Sequence, residues 1–341
     1  MRKFVWLAVL VGLGCGPTPS PATPWSTVFS ALPGALISVA GTSAHDVWSV
    51  GGDPGDGSGP MVLHFDGMGW KKLKAPMKGD LWWVDVFPNG PVFMGGANGT
   101  ILKYENGAFA PMLTPPEVTT VFGIWGSSPT DVWAVGGDGN SHGFAWHFNG
   151  STWTIPGGLP ADIARTNTLY KVWGLAANDV WFVGSNTRAM HYDGTTFTDT
   201  ITSTTPGMLQ NSETPLFTVH GSHGHLAAVG GYAGGVALEN NGSGWSDKSP
   251  KSTFRLSGVY LAGDGGYAVG GQSAHGIVVR RSATGWSTEA LGITLQDSLH
   301  AVWIDPDGGV WAVGGHIDDV PLVHGVMIHK GGSVPGGTFT E

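Results

Sequence analysis

Along most of the chain, apolar and polar residues alternate with a period of two over short runs, and small or polar turn residues separate the runs. This is the pattern of half-buried β-strands, not of helices. One run, Asp131-Val132-Trp133-Ala134-Val135-Gly136, recurs from one end to the other. Aligned on its last residue it closes at Gly51, Gly96, Gly136, Gly184, Gly230, Gly270 and Gly314. Around each copy the pattern predicts four strands. Strand a is a short apolar run containing Val39, Val84, Ile124, Val172, Val219, Val259 or Val302. A polar turn leads into strand b, the recurring run, whose aromatic position is held by Trp48, Phe93, Trp133, Trp181, Tyr267 and Trp311, with Ala227 in the fifth repeat. Strand c ends at turns such as Asp66-Gly67, Asn106-Gly107, Asn149-Gly150 and Asp193-Gly194, because Asn, Asp and Gly tolerate the positive φ of a tight hairpin. Strand d follows at Trp70, Phe109, Trp153, Phe197, Trp245 and Trp286.

Four antiparallel strands per repeat of about 44 residues, repeated seven times, predict an all-β, seven-bladed β-propeller spanning residues 25–341. A single blade cannot bury both faces of its sheet, so the aromatic positions are expected to pack blade on blade. Ring closure stays open. The Trp25-Ser26-Thr27-Val28 stretch reads as an extra strand d before the first strand a, and the chain also ends on a candidate strand around Phe339. Either end could complete the last blade; the N-terminal strand is slightly favoured.

Composition agrees with many short strands and tight turns: 57 Gly, 16 Trp and 14 Phe stand beside only 12% charged residues, so almost no helix is expected. A net charge of −9 argues against nucleic acid as a partner. The local cluster Lys71, Lys72, Lys74 and Lys78 reads as a solvated loop. Ahead of the repeats, Arg2 and Lys3 precede an apolar stretch from Phe4 to Leu13, too short to span a bilayer, so residues 1–14 read as a signal peptide. The segment resembles the leader of bacterial lipoproteins, in which the cysteine after the cleaved bond is lipidated; here that is Cys15, the only cysteine. The Leu13 position departs by one place from the usual pattern. Residues 15–24, with alternating prolines, read as an extended tether. A plainly secreted protein is the alternative.

The repeats carrying Asp46-Val47-Trp48, Asp131-Val132-Trp133 and Asp179-Val180-Trp181 resemble secreted bacterial lipoproteins, many of them myxobacterial, that hold multiple Asp-Val-Trp-Ala-Val-Gly motifs. That resemblance implies a lipid-anchored propeller of unassigned function at the outer membrane or cell surface. The Asp66-Gly67 to Trp70 and Asn149-Gly150 to Trp153 turns are distantly similar to the Asp-box of sialidase-like propellers. They lack its serine and its spacing, and no arginine lies in that family's motif context.

The repeat-borne Asp46, Asp131 and Asp179 are expected to hydrogen-bond turn amides, since a side chain used alike in several blades reads as structural. The repeat-borne histidines follow the same logic. His220, His223 and His225 fall in one turn of one blade and could bind a divalent transition metal, although an exposed polar turn is the plainer reading. Loop length points elsewhere. The b-to-c loops and d-to-a connections share one face of a propeller, and nearly all length variation falls there, where binding residues are most often carried. Asp53, Asp56, Asp138, His142, His316, Asp318 and Asp319 sit on these loops, with Trp146 as a candidate stacking platform; such oxygen-rich loops could hold Ca²⁺ or sugar hydroxyls. No other cofactor and no catalytic residue is expected. The sequence therefore predicts a monomeric, extracytoplasmic binding or assembly module, its partner an envelope protein or glycan, with a glycan-active enzyme as the alternative.

Overall fold

In the computed structural model, residues 24–139, 142–201, 214–273 and 275–341 are described. The expected signal peptide, Cys15 and nearly all of the tether lie outside them, as does most of the loop between Thr200 and Pro215. The described residues form seven four-stranded antiparallel sheets, each ordered a-b-c-d except the last, which draws its outer strand from the N-terminus. The a strands of successive blades lie side by side around the whole circle, first against last, so the fold is a closed seven-bladed propeller with strand a lining the axis. Among the described residues, helix is confined to one turn at Ile163–Thr166 and a 3-10 turn at Ala97–Gly99. No helix among them is long and apolar enough to cross a membrane.

Apolar burial is distributed between blades. Trp133 on strand b of blade three packs with Leu169, Val172, Val180 and Phe182 of blade four. Trp48 meets Leu81, Val84 and Met94 of blade two, and Trp311 meets Val39, Val47 and Leu63 of blade one. Phe93, Trp181 and Tyr267 take the equivalent places at the other blade junctions. Each b strand thus fills the wedge that opens between two twisted sheets, where one large ring contributes roughly 1.5–3 kcal/mol by burial.

The recurring glycine has a steric cause. A Cβ on Gly51, Gly96, Gly136, Gly184, Gly230, Gly270 or Gly314 would sit 1.8–2.3 Å from the carbonyl oxygen of the residue just before the core of strand a. That close approach accompanies a bulge. In every blade the a–b ladder slips once near its start, between Leu36 and Ser38, Leu81 and Trp83, Val121 and Gly123, Leu169 and Lys171, and likewise in blades five to seven. The intervening residue has no partner in the ladder.

Both chain ends serve in closure. The N-terminal strand Trp25–Gly34 pairs antiparallel with strand c of blade seven, Trp25 opposite Lys330 and Gly34 opposite Val323. The Trp25 indole N–H donates to Glu289 at 2.9 Å, and the Lys330 ammonium reaches the same carboxylate at 2.5 Å. The C-terminal segment then crosses from blade seven to blade one as a strap. The amide of Gly337 donates to Val28 O (2.8 Å), that of Thr340 to Trp70 O (3.0 Å), and that of Lys72 to Thr340 O (2.7 Å). The Trp70 indole donates to Pro335 O at 3.0 Å, and Phe339 meets Phe29 edge-on at 6.4 Å.

Candidate functional site

The repeated aspartates do not bond turn amides. Asp46 accepts from His64 Nε2 (2.8 Å), the Trp48 indole (3.1 Å) and the Thr42 hydroxyl (2.6 Å), and His64 stacks on Trp48 at 4.0 Å. The hydrogen bond from His64 is the largest influence holding the Asp46 carboxyl below its ordinary range. Asp179 repeats the arrangement with His191 (2.8 Å) and Trp181 (2.7 Å), and Asp131 with His147 (2.5 Å) and Ser127. These groups pin strand c to strand b within a blade. Blade five replaces them: Ala227 stands opposite Glu239, which accepts from Arg281 Nε (2.8 Å), the Trp286 indole (2.7 Å) and His225 (3.1 Å). The small Ala227 leaves room for that cluster.

The three-histidine turn separates its side chains. His220 points inward, its ring against Trp173 at 3.9 Å and Tyr260 at 3.8 Å, its Nδ1 accepting the Leu261 amide (3.0 Å). Burial drives its pKa down to about 3. His225 is engaged with Glu239, and His223 stands in the turn at φ 50°. Among the described residues no cluster of three His, Cys, Asp or Glu side chains is arranged to hold a metal ion.

The loop-face candidates are likewise dispersed. Asp53 accepts the amides of Gly55 and Gly79, each at 2.9 Å, tying its loop to the connection before blade two, and Asp56 accepts that of Ser58 at 2.8 Å within its own loop. Asp138 accepts the His142 amide at 3.0 Å and the Thr168 hydroxyl at 3.3 Å. His142 places one ring nitrogen on Glu117 (2.8 Å) and the other on Ala164 O (3.1 Å); the Glu117 hydrogen bond raises its pKa. Asp318 pairs with Arg255 at 2.8 Å, and His316 lies 3.7 Å from Asp319. Trp146 is not a surface platform. It is fully buried, stacked on Phe144 at 4.2 Å between blades two and three.

What the fold assembles is the mouth of the axial channel on the loop-rich face, a cavity of about 260 Å³. Six of its lining residues, Trp82, Phe122, Tyr170, Phe217, Ser257 and His300, are the residues left out of the ladder by the bulges of blades two to seven. Four of them make a continuous arc of rings: Trp82 to Phe122 at 5.1 Å, Phe122 to Tyr170 at 5.6 Å and Tyr170 to Phe217 at 5.3 Å. His300 extends the arc, 5.9 Å from Trp82, with Nδ1 2.7 Å from Ile37 O. The Tyr170 hydroxyl donates to Gly139 O at 2.6 Å.

Basic groups lie within this arc. Lys171 is buried, donates to Phe122 O at 2.8 Å and sits 3.4 Å from the centre of the Trp83 ring. Burial lowers its pKa well below the usual lysine range. Arg255 holds Asp318 through Nη2, while its Nε is sealed from solvent without an acceptor among the described residues. Burial first, then the charge of Lys171 among others, drives the His300 pKa down to about 3. Deeper in the channel, Asp85 touches the axial space yet is enclosed by protein, and burial pushes its carboxyl up to about 7 against the amides of Gly126 and Val86.

Sequence reasoning missed this mouth. The rings stand two residues before the apolar strand-a residue of each blade (Val84, Ile124, Val172, Val219 and Val302), and regular alternation would put both residues on one face. Only the bulge turns the first toward the axis.

No protein-family model and no curated protein matches the chain. Solved structures do match it. The WD40 β-propeller domain of Doa1 superposes with a TM-score of 0.67 at 14% identity, over 93% of this chain and 99% of that one. YCF48 bound to D1 peptide gives 0.63 at 12%, over 92% and 99%. The extracellular domain of the putative hybrid two-component system BT4673 from B. thetaiotaomicron gives 0.62 at 12%, over 89% of this chain and 39% of that chain. The likeness is one of fold. At such identities it carries no ligand across.

Proposed function

We propose that this propeller is a lipid-anchored, extracytoplasmic binding or assembly module that engages an envelope partner through its loop-rich face. The observation that carries the reading is where apolar surface remains uncovered. Among the described residues the exposed large apolar side chains are Leu113, Val118, Ile155, Tyr232, Phe254, Val320 and Met68. All but Met68 lie on b-to-c or d-to-a connections, the face on which the aromatic mouth opens. Their confinement to one face of a rigid scaffold, with Tyr232 6.1 Å from Phe217 of the mouth, is what supports an interaction site there. The glycan-active alternative needs two carboxyl groups about 5–10 Å apart in a pocket, and the residues lining the mouth offer rings and bases instead. YCF48, a propeller of similar shape, is known with D1 peptide bound, and BT4673 contributes an extracellular domain; both are compatible with the reading. The address rests on the Cys15 leader and its resemblance to lipoproteins.

The test is capture from the producing cell's envelope by the wild-type protein and by a variant carrying Leu113→Ser, Val118→Ser, Phe254→Ser and Val320→Ser. A retained species that the variant loses at least tenfold is expected; equal retention by both defeats the proposal. Cys15→Ser should move the protein from the membrane to the soluble fraction, and continued membrane retention would refute the anchor.

A further inference from the structure

We propose that the channel mouth is a binding site for a carboxylate carried on an apolar group, such as the free C-terminal residue of a peptide. The apolar part lies on the ring arc of Trp82, Phe122, Tyr170 and Phe217, and the carboxylate meets Lys171 and Arg255. This rests on the reading of the loop-rich face as a binding surface and names the chemistry it recognises.

Three features select that chemistry. The first is charge. Lys171 is a buried amine held by a carbonyl oxygen and the face of Trp83, an arrangement that stabilises a cation only in part. A carboxylate entering the mouth favours the protonated ammonium and supplies its counter-charge, in a setting where a charge-assisted hydrogen bond is stronger than in water. Arg255 lines the same cavity with a partly exposed guanidinium and adds a second positive charge, although Asp318 already offsets part of it. The second is the scarcity of neutral polar groups. The Tyr170 hydroxyl is committed to Gly139 O, and Ser257 supplies the remaining hydroxyl among the lining residues. A sugar would bury several hydroxyls there with few partners, and each unmatched one costs about 1–3 kcal/mol. An apolar side chain has no such requirement. The third is size: about 260 Å³ admits one residue or a small acid, not a folded segment. Rings presented edge to face, as Trp82 and Phe122 are at 89°, also leave faces for a flat or branched apolar group.

The same chemistry occurs in a chain terminus and in a free aromatic or aliphatic acid, so the experiment separates them. Titration calorimetry on the intact protein compares N-acetyl-phenylalanine with its amide, and an octapeptide ending in Phe with its C-terminally amidated form. Each acid is expected to bind at least tenfold tighter than its amide. Tighter binding of the peptide acid than of N-acetyl-phenylalanine identifies a chain terminus, and the reverse order a free acid. Lys171→Met, which keeps the buried volume and removes the amine, should lose at least tenfold for both acids while its melting temperature stays at or above that of wild type. Phe217→Thr should weaken acid and amide alike. Equal affinity for acid and amide, full binding by Lys171→Met, or tighter binding of an oligogalacturonate than of either acid would overturn the proposal. If the acids fail to bind while the wild-type protein still captures an envelope species that the loop-face variant loses, this inference falls and the binding-module reading stands.

Discussion

At the scale of single residues, the repeat is held by sterics more than by the polar groups that first draw the eye. The Asp–His–Trp groups are partly exposed, and hydrogen bonds of this kind each contribute about 1 kcal/mol. The closing glycines answer to a harder constraint, since any Cβ there meets a backbone carbonyl that cannot move without unmaking the bulge. Gly184→Ala places a methyl 2.1 Å from Thr168 O. It is expected to destabilise the protein by about 1–3 kcal/mol or more, read as a lowered denaturation midpoint. Gly157→Ala, where no atom lies within 4 Å of the added carbon, is the matched control and should change little. A midpoint for Gly184→Ala equal to that control would contradict the steric account. The aspartates show the limit of local reasoning. Their recurrence marked them correctly as repeat-borne, but whether they bonded amides or a histidine on the next strand depended on strand pairing.

At the scale of elements, the informative one is strand a with its bulge. Strand existence and order were readable from alternation and from the hairpin glycines, and Gly67, Gly150 and Gly194 do adopt φ of 86°, 89° and 95°. The bulge was not readable, because a one-residue slip leaves apolar composition unchanged while it redirects one side chain. The closing strap is a second element read only in part: the sequence offers a strand candidate around Phe339, but not its pairing with the outer strand of blade one. Its three backbone hydrogen bonds bridge strands at opposite ends of the sequence, pairing with Val28, Trp70 and Lys72. Deleting residues 336–341 should therefore lower stability by about 1–3 kcal/mol and raise hydrogen exchange at the Lys72 amide selectively. Unchanged exchange there would show that the strap does not protect the junction of blades seven and one.

At the scale of the molecule, ring closure creates an axial channel with properties no blade has alone. Asp85 is its clearest reporter, a carboxyl whose pKa burial raises to about 7. A raised acid leaves the native state holding a proton that the unfolded chain has released. Its cost to stability is absent below about pH 3.8, grows as pH rises towards 7, and is constant above that. Asp85→Asn keeps an acceptor for the Gly126 and Val86 amides without the charge. It should leave stability nearly unchanged at pH 4 and raise it by about 1–3 kcal/mol at pH 8, less than the full shift because the channel admits water. A gain of the same size at both pH values would mean that charge burial is not the cause. The candidate mouth belongs to this scale too. Lys171, Arg255 and His300 stand on blades four, six and seven, and only the closed circle turns them toward one cavity.

The chain by itself determined the strands, their number per repeat, the count of blades and the blade-on-blade role of Trp48, Trp133 and Trp311. Each follows from local periodicity and from the need of a sheet to bury its second face. Tertiary structure alone decided that the N-terminal strand completes blade seven, that Trp146 lies in the core, that His220, His223 and His225 part company, and that rings and bases meet at the channel mouth. The physical reason is the same in each case. Periodicity records which face of a strand is apolar, whereas convergence depends on how bulges, closure and the order of blades around an axis turn particular side chains toward one point, which the spacing of residues does not state.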